Sequence, residues 1–128
     1  VTMILQIDNP MATVNGVKKE IDPGYGTKPM LYNGRVVLPI KILIESLGGR
    51  ISWDQGERKT TITLGDTNLE FWIDKNQFKV NGVTKNSDVA PKIINSRTFL
   101  PLRVIIENLG CSVVWNPQDK TVTIVSGN

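Results

Sequence analysis

The chain has 128 residues, of which 40% are hydrophobic and 21% charged, and 15 basic against 12 acidic side chains give a net charge of +3. This composition is typical of a globular protein, and the length is sufficient to bury a core without a metal or a disulfide. Histidine is absent and cysteine occurs once, which excludes Ser-His-Asp and Cys-His catalysis, His-based metal sites, Cys clusters and an internal disulfide.

The charge and hydropathy patterns exclude two further classes of protein. The basic residues are spread along the chain rather than clustered, which argues against a nucleic-acid-binding protein. The longest apolar runs, such as 36–40, are too short to cross a bilayer, so we expect no membrane insertion. Because the chain starts at Val1 rather than Met, we also expect a processed product or a fragment of a larger protein.

The first predicted element is a β-hairpin whose turn is Asn15-Gly16. Asn-Gly is the favoured pair for a type I′ turn, because both central residues of that turn have positive φ. A loop is expected next, and a short strand, Arg35–Leu38, follows it.

A short helix is predicted after this strand. Pro39 fits its first position, where a missing N–H costs no hydrogen bond, and Gly48 fits the left-handed position beyond its end. Ile42 lies off the main apolar face, so we expect a helix that is apolar on more than one side. The main face has the spacing i, i+3, i+4 and i+7 and consists of Ile40, Leu43, Ile44 and Leu47.

Two strands, Arg50–Trp53 and Thr60–Leu64, close the first half of the chain, and the same series of elements then recurs. The second hairpin turn is Asn81-Gly82. The later elements of the second half are the strand Arg97–Leu100, a helix between Pro101 and Gly110, and the strands Ser112–Trp115 and Thr121–Val125.

The sequence itself is duplicated. Residues 33–64 and 95–126 align without a gap at an offset of 62, with 11 identities in 32 positions. Upstream, 14–17 matches 80–83 at an offset of 66, so the first half carries four extra residues around Asp22-Pro23-Gly24-Tyr25-Gly26. We therefore predict two copies of one unit, residues 3–64 and 69–126, within a single domain that spans 1–128.

These elements predict an α+β fold with two pseudo-symmetric repeats. Each repeat is expected to form a curved antiparallel β-sheet wrapped around its one short helix. A unit of this size is too small to bury a core alone, so the two repeats should pack together as one compact body.

The repeated string Asn-(Gly/Ser)-Arg-x-x-Leu-Pro-(Ile/Leu)-(Lys/Arg), followed by Glu-x-Leu-Gly and Trp-(Asp/Asn), resembles the copper amine oxidase N-terminal-like domain over most of the chain. The resemblance implies a non-catalytic, stalk-like module without copper. It also implies a location outside the cell, at the cell surface or cell wall, mainly of Gram-positive bacteria. Cys111 departs mildly from the family pattern, and we expect it to be a small buried hydrophobe because no His can activate it.

Two pairs of charged residues recur in both repeats. We expect Arg35 to pair with Glu45, and Arg97 with Glu107, so that each arginine ties the strand of its unit to the helix. The alternative is that these residues form a ligand clamp.

The tryptophans fall into two groups. Trp53 and Trp115 occupy equivalent positions, and we expect them to cover the helices as part of the core, with sugar stacking as the alternative. Phe71 and Trp72 are neighbours on a strand and should face opposite sides of its sheet, so Trp72 is a candidate exposed binding residue or packs between the units.

The four extra residues of the first half lie in a pliable loop. Gly24 and Gly26 flank Tyr25, which places its ring in or near solvent, and Lys28 follows. An ordinary surface loop is the alternative interpretation. Tyr25, Lys28 and Trp72 are therefore the candidate ligand-binding residues, and no catalytic residue, metal site or cofactor is predicted.

We predict a non-catalytic extracellular module of a bacterial surface protein that binds cell-wall polymer or polysaccharide. Other surface proteins are a second class of expected partner. The alternative function is a structural spacer or an assembly module that binds no small ligand.

Overall fold

The structure, a computed structural model, describes residues 1–126, so 127–128 of the predicted domain lie outside the described residues. Over the described part, the chain is mainly antiparallel β-sheet with two short helices. The first half contains β1 (Thr2–Gln6), β2 (Met11–Val14), β3 (Val17–Glu20), β4 (Met30–Tyr32), β5 (Arg35–Leu38), α1 (Lys41–Ser46), β6 (Arg50–Asp54) and β7 (Lys59–Leu64). The second half contains β8 (Thr67–Trp72), β9 (Gln77–Val80), β10 (Val83–Asn86), β11 (Lys92–Ile94), β12 (Arg97–Pro101), α2 (Leu102–Asn108), β13 (Ser112–Asn116) and β14 (Thr121–Val125).

The two predicted Asn-Gly hairpins are confirmed. Asn15 and Gly16 have φ angles of 50° and 81°, and Asn81 and Gly82 have 48° and 82°. Positive φ at both central residues defines the type I′ turn, which joins β2 to β3 and β9 to β10.

Two more turns with positive φ lie where a loop was predicted. Asn33-Gly34 joins β4 to β5, with φ of 50° and 75°, and Asn95-Ser96 joins β11 to β12, with φ of 51° and 65°. The segment before β5 and the segment before β12, which were expected to be loops, therefore each contain a further strand, β4 and β11 respectively.

Both helices bury the predicted apolar face. Ile40, Leu43 and Ile44 are at most 1% exposed, and so are Leu102, Ile105 and Ile106. Leu47 and Leu109 complete the two faces as half-buried residues, and the off-face Ile42 and Val104 also pack against the core.

Each helix ends as predicted but begins later than predicted. Gly48 and Gly110 have φ of 89° and 82°, and the backbone N–H of the next residue donates to the carbonyl of Ile44 or Ile106, which is a Schellman C-cap. Pro101 does not occupy the first helical position, because it is the last residue of β12 and pairs with β5. In the first half, Pro39 likewise precedes the N-cap Ile40.

The sheets do not follow the two sequence repeats. A terminal sheet has the strand order β13-β14-β1-β2-β3, a middle sheet has β10-β9-β8-β7-β6, and a bridging sheet has β11-β12-β5-β4. The terminal and bridging sheets combine strands of both halves, and the middle sheet joins the last two strands of the first half to the first three of the second. The expectation that each repeat wraps its own sheet around its own helix is therefore wrong.

The bridging sheet brings equivalent residues together at its centre. β5 and β12 are antiparallel, and Leu38 pairs with Leu100, which is its equivalent at the offset of 62. Both leucines are at most 1% exposed and belong to a core cluster that draws on both halves of the chain.

The two ends of the described chain meet in the terminal sheet. β1 pairs with β14 from Thr2–Val125 to Gln6–Thr121. The amino group of Val1 donates to the Ser126 hydroxyl at 2.8 Å, and the Ser126 N–H donates to the Val1 carbonyl at 2.9 Å. The first and last strands are thus neighbours.

Candidate ligand-binding site

Trp72 lies on the outer face of the middle sheet. Its neighbour Phe71 is 1% exposed and stacks on Phe78 of β9, with ring centroids 4.8 Å apart. Successive side chains of a strand point to opposite faces, so Trp72 is turned away from this aromatic pair and is half-buried. The prediction that Phe71 and Trp72 face opposite sides is confirmed.

Two lysines flank the Trp72 indole. The ammonium of Lys59, which lies opposite Trp72 on β7, is 5.8 Å from the ring centroid, and that of Lys79 on β9 is 5.9 Å from it. Both distances are within the range of cation–π attraction. Neither lysine was a candidate from the sequence, because strand pairing rather than sequence proximity brings them to the ring.

Carboxylates fix the position of Lys59. Its ammonium lies 3.0 Å from Glu70 and 3.4 Å from Glu57. The hydrogen bond to Glu70 is the main cause that raises the pKa of Lys59 above its ordinary value of 10.5. Lys79 has no carboxylate within 4.0 Å among residues 1–126. Of the two lysines beside the ring, Lys79 is thus the one whose ammonium is not held by a carboxylate of the described residues, although Glu70 lies opposite it on β8.

A shallow depression runs beside the indole. The aromatic ring offers an apolar stacking surface, amide and hydroxyl groups offer hydrogen bonds, and ammonium groups attract anions. This combination fits a ligand that contains rings and carries negative charge. The depression is lined by Trp72, Lys75, Gln77, Phe78, Lys79 and Thr84.

The loop between β3 and β4 holds Tyr25 and Lys28 at the surface. Asp22, at its start, accepts a hydrogen bond from the Thr27 hydroxyl, and its carboxylate lies 2.8 Å from Nε of Arg97. Tyr25 is 71% exposed as a residue, and its ring stacks on the Arg97 guanidinium, with 3.6 Å between Cζ and the ring centroid. One face of this ring is therefore occupied by Arg97, and Lys28, three residues later in the same loop, is exposed.

The recurring arginines do not pair with the recurring glutamates, so that prediction is wrong. Arg35 lies 2.7 Å from Asp88, and Arg97 pairs with Asp22. Asp22 and Asp88 are equivalent at the offset of 66, so each ion pair joins one half of the chain to the other. Because β5 and β12 are adjacent, each arginine lies beside the connection of the opposite half rather than beside its own helix.

The three predicted binding residues are distributed over two places. Trp72 lines the depression on the middle sheet, whose lining contains neither Tyr25 nor Lys28. Tyr25 and Lys28 belong to the loop that packs on Arg97. Binding by each of the three remains a prediction, and the two places require separate tests.

The remaining expectations for buried residues hold in part. Trp115 packs against the core as predicted, whereas Trp53 is 40% exposed and its indole N–H donates to Gln55 at 2.9 Å. Trp53 lies on the edge strand β6, so only one side of it is covered. Cys111 is 8% exposed, and burial raises the pKa of its thiol.

The residue types present do not fit a copper centre. The chain has no His, and its single Cys is buried. Within residues 1–126, no three or more His, Cys, Asp or Glu side chains converge to hold a metal ion. In the same part of the chain, neither helix has the length and apolar character needed to cross a membrane.

Comparison with known families identifies the class of this fold. A family model described as the copper amine oxidase N-terminal domain matches residues 22–124 as a single unit. The chain therefore belongs to the copper amine oxidase N-terminal domain family. This domain is a non-catalytic accessory domain that is found in enzymes. No curated protein matches the chain.

Proposed function

We propose that this chain is a non-catalytic extracellular module of a bacterial surface protein that binds an anionic cell-wall polymer or polysaccharide. The observation that carries the proposal is the Trp72 depression, where an indole is flanked by Lys59 and Lys79. We propose the extracellular location because the duplicated motif resembles the copper amine oxidase N-terminal-like domain, a resemblance that implies a surface module.

Each part of the depression suits one part of such a polymer. The apolar face of Trp72 can stack on the C–H face of a sugar ring, and Gln77 and Thr84 can hydrogen-bond its hydroxyls. Lys75 and Lys79 can attract a phosphate or carboxylate group. Because these lysines are near the surface, the electrostatic part of binding should weaken as salt rises.

The non-catalytic part of the proposal is supported by the residues available. His is absent from the chain, and the buried Cys111 has its thiol pKa raised, which disfavours the nucleophilic thiolate. The family to which the chain belongs is itself a non-catalytic accessory domain.

The experiment is co-sedimentation of the purified chain with Gram-positive cell walls at low and high salt. We expect the wild type to co-sediment with the walls and to do so less as salt rises. The Trp72→Ala variant should stay in the supernatant. The double variant Lys75→Ala/Lys79→Ala should also lose retention. Its matched control, Lys18→Ala/Lys19→Ala, removes the same charge from exposed positions on β3 and should sediment like the wild type.

The outcomes separate the proposal from its alternatives. If both double variants lose retention equally, the walls attract the net charge of the chain and the depression is not the site. If the wild type stays in the supernatant at both salt concentrations, wall binding is wrong.

A second candidate function is an assembly module, and the terminal sheet favours it. Its strands β1, β2, β13 and β14 contain no charged residue. Their outer face exposes Ile4, Val114 and Val125 at 43%, 63% and 41%. Edge strands of soluble proteins usually carry charges that prevent pairing with another chain, and the edge strand β13 has none.

We further infer that the two halves are copies of one ancestral unit. The support is the sequence match at offsets of 62 and 66 and the two type I′ hairpins at equivalent positions. The ion pairs Arg35–Asp88 and Arg97–Asp22 also support it, and we call them reciprocal because each joins an arginine of one half to the equivalent aspartate of the other. The sheets are compatible with this origin although each contains strands of both halves. Each five-stranded sheet is built from the last two strands of one half and the first three strands of the other, so the two halves contribute equivalent strands.

A further inference from the structure

One of the two reciprocal ion pairs is covered by a loop, and the other is bare. The Arg97 and Asp22 side chains are 29% and 15% exposed. The equivalent Arg35 and Asp88 side chains are 55% and 73% exposed. The same pair of charged groups is thus available to a partner in only one half of the chain.

The four extra residues of the first half account for this difference. Six residues separate Asp22 from Pro29, and the Tyr25 ring among them lies on Arg97. Only Val89 and Ala90 separate Asp88 from its proline, and both are buried. This shorter connection supplies no ring to stack on Arg35.

A cavity of about 670 Å³ opens beside the bare ion pair. This volume is within the range of ligand-binding pockets. Four charged residues line it, namely Arg35, Asp88, Arg103 and Glu107, and they form two ion pairs, the second with a separation of 3.1 Å. The charges therefore cancel, and the cavity does not select an anion. Its apolar wall includes Val36, Val104 and Trp115.

We propose that this cavity is the docking site for a segment of another polypeptide whose aromatic side chain stacks on Arg35. The chain's own loop shows which groups suit this geometry, because Tyr25 stacks on the equivalent Arg97 and is flanked by two glycines. A neutral aromatic residue between small residues matches both the guanidinium plane and the apolar wall. The site is distinct from the Trp72 depression and does not depend on polymer binding.

The probe for this site is the peptide acetyl-Pro-Gly-Tyr-Gly-Thr-Lys-amide, which copies residues 23–28. It is titrated into the ¹⁵N-labelled full chain and followed by heteronuclear NMR. We expect saturable shifts of the amides of Val36 and Val104 and of the Trp115 indole N–H. A peptide with Ala in place of Tyr should bind about tenfold more weakly, because it lacks the ring that stacks on the guanidinium.

Two variants of the chain locate the contact. Arg35→Gln should weaken peptide binding about tenfold, and it should fold normally because its ion pair is exposed. Arg103→Gln removes the other cation of the same cavity and should change binding by less than about twofold, because the proposed aromatic contact is with Arg35 and not with Arg103.

Several results would overturn the proposal. They are no shifts up to the solubility limit of the peptide, equal binding of the Tyr and Ala peptides, or unchanged binding by Arg35→Gln. Shifts confined to the Trp72 depression, or shifts at the cavity caused by N-acetylglucosamine and not by the peptide, would also overturn it.

Discussion

At the scale of single residues, the two reciprocal ion pairs have the same residue types and differ in their exposure to solvent. Asp22 is shielded by its loop, accepts a hydrogen bond from the Thr27 hydroxyl and forms an ion pair with Arg97, whereas Asp88 accepts its hydrogen bonds from Arg35 in the open to water. Charged hydrogen bonds contribute more to stability when solvent is excluded, since water screens an exposed pair.

Asp22→Asn should therefore destabilise the fold more than Asp88→Asn. We expect a loss of about 1–3 kcal/mol in the free energy of unfolding for Asp22→Asn. For Asp88→Asn the expected loss is below about 0.5 kcal/mol. Urea unfolding followed by tryptophan fluorescence measures both, and equal losses would show that the Tyr25 loop gives no shielding.

Asp74 links stability to pH. Its hydrogen bond with Lys92, at 3.0 Å, is the main cause that lowers the pKa of the Asp74 carboxyl below 3.8 and also raises the pKa of Lys92. A carboxyl whose pKa is lower in the folded state stabilises the fold above its unfolded pKa and stops doing so as pH falls through the folded value. A lysine whose pKa is raised loses its contribution at alkaline pH.

The Asp74→Asn variant should accordingly have a lower Tm than the wild type at neutral pH. This difference should shrink as pH falls below about 4 and again as pH rises above about 10.5. Asp8→Asn is the matched control, because Asp8 is equivalent to Asp74 but the position equivalent to Lys92 is Met30. Thermal unfolding between pH 2 and pH 11 measures both variants, and a pH-independent difference for Asp74→Asn would contradict the argument.

At the scale of secondary-structure elements, the two short helices depend on their C-caps. α1 has six residues, and its last carbonyls are satisfied by the N–H groups of Gly48 and Gly49. Gly48 has a φ of 89° with open space around its missing Cβ, so only the backbone requires glycine there. At Gly49, a Cβ would lie 2.8 Å from the Thr63 carbonyl and 2.9 Å from the Ile44 side chain.

Gly49→Ala should therefore be more destabilising than Gly48→Ala. We expect a loss of about 1 kcal/mol for Gly48→Ala, because alanine is strained at positive φ. Gly49 does not have a positive φ, but the Cβ of Gly49→Ala would clash with the Thr63 carbonyl on the neighbouring strand β7. Urea unfolding of the two variants tests the order, and a larger loss at Gly48 would contradict it.

The sequence predicted those elements whose signals are local. The Asn-Gly turns, the helical faces and the two C-cap glycines each follow from a few neighbouring residues, and all are confirmed. β4 and β11 were missed because each has three residues and shows no alternating pattern, and the turn Asn95-Ser96 lacks the usual glycine. The helix starts were placed too early for a different reason. Pro39 and Pro101 fit the first position of a helix, but proline also fits the end of a strand.

At the scale of the whole molecule, the distribution of charge differs between the two five-stranded sheets. β6, one of the two edge strands of the middle sheet, has Arg50 and Asp54 at its ends, whereas the equivalent β13 has Ser112 and Asn116. Charged edges oppose pairing with another chain, and uncharged edges permit it. If the chain assembles with itself, β13 is the expected contact.

Val114→Lys should then abolish self-association. Val83→Lys is the matched control, because Val83 on the edge strand β10 is 62% exposed and Val114 is 63% exposed. Sedimentation velocity over a range of protein concentrations should show association for the wild type and for Val83→Lys, but not for Val114→Lys. A wild type that stays monomeric at all concentrations would leave the assembly function without support.

The long-range arrangement was beyond what the sequence pattern could predict. Periodicity identifies strands, but the pairing of β1 with β14 joins residues more than 110 positions apart, and no local signal specifies it. The same limit applies to the candidate sites. Trp72 and Tyr25 could be selected as aromatic residues, whereas Lys59, Lys79 and Arg97 reach them only through strand register and chain crossing.

The adjacency of Val1 and Ser126 has a mechanical consequence. A force applied to both ends acts at the same end of the antiparallel pair β1–β14, where Thr2 faces Val125. In that geometry the force acts on the interstrand hydrogen bonds one after another, so the two strands unzip from that end. In a shear geometry, by contrast, all the hydrogen bonds between the strands would bear the load at once. Under tension this domain should give way at low force and lengthen the chain, in contrast to a rigid spacer.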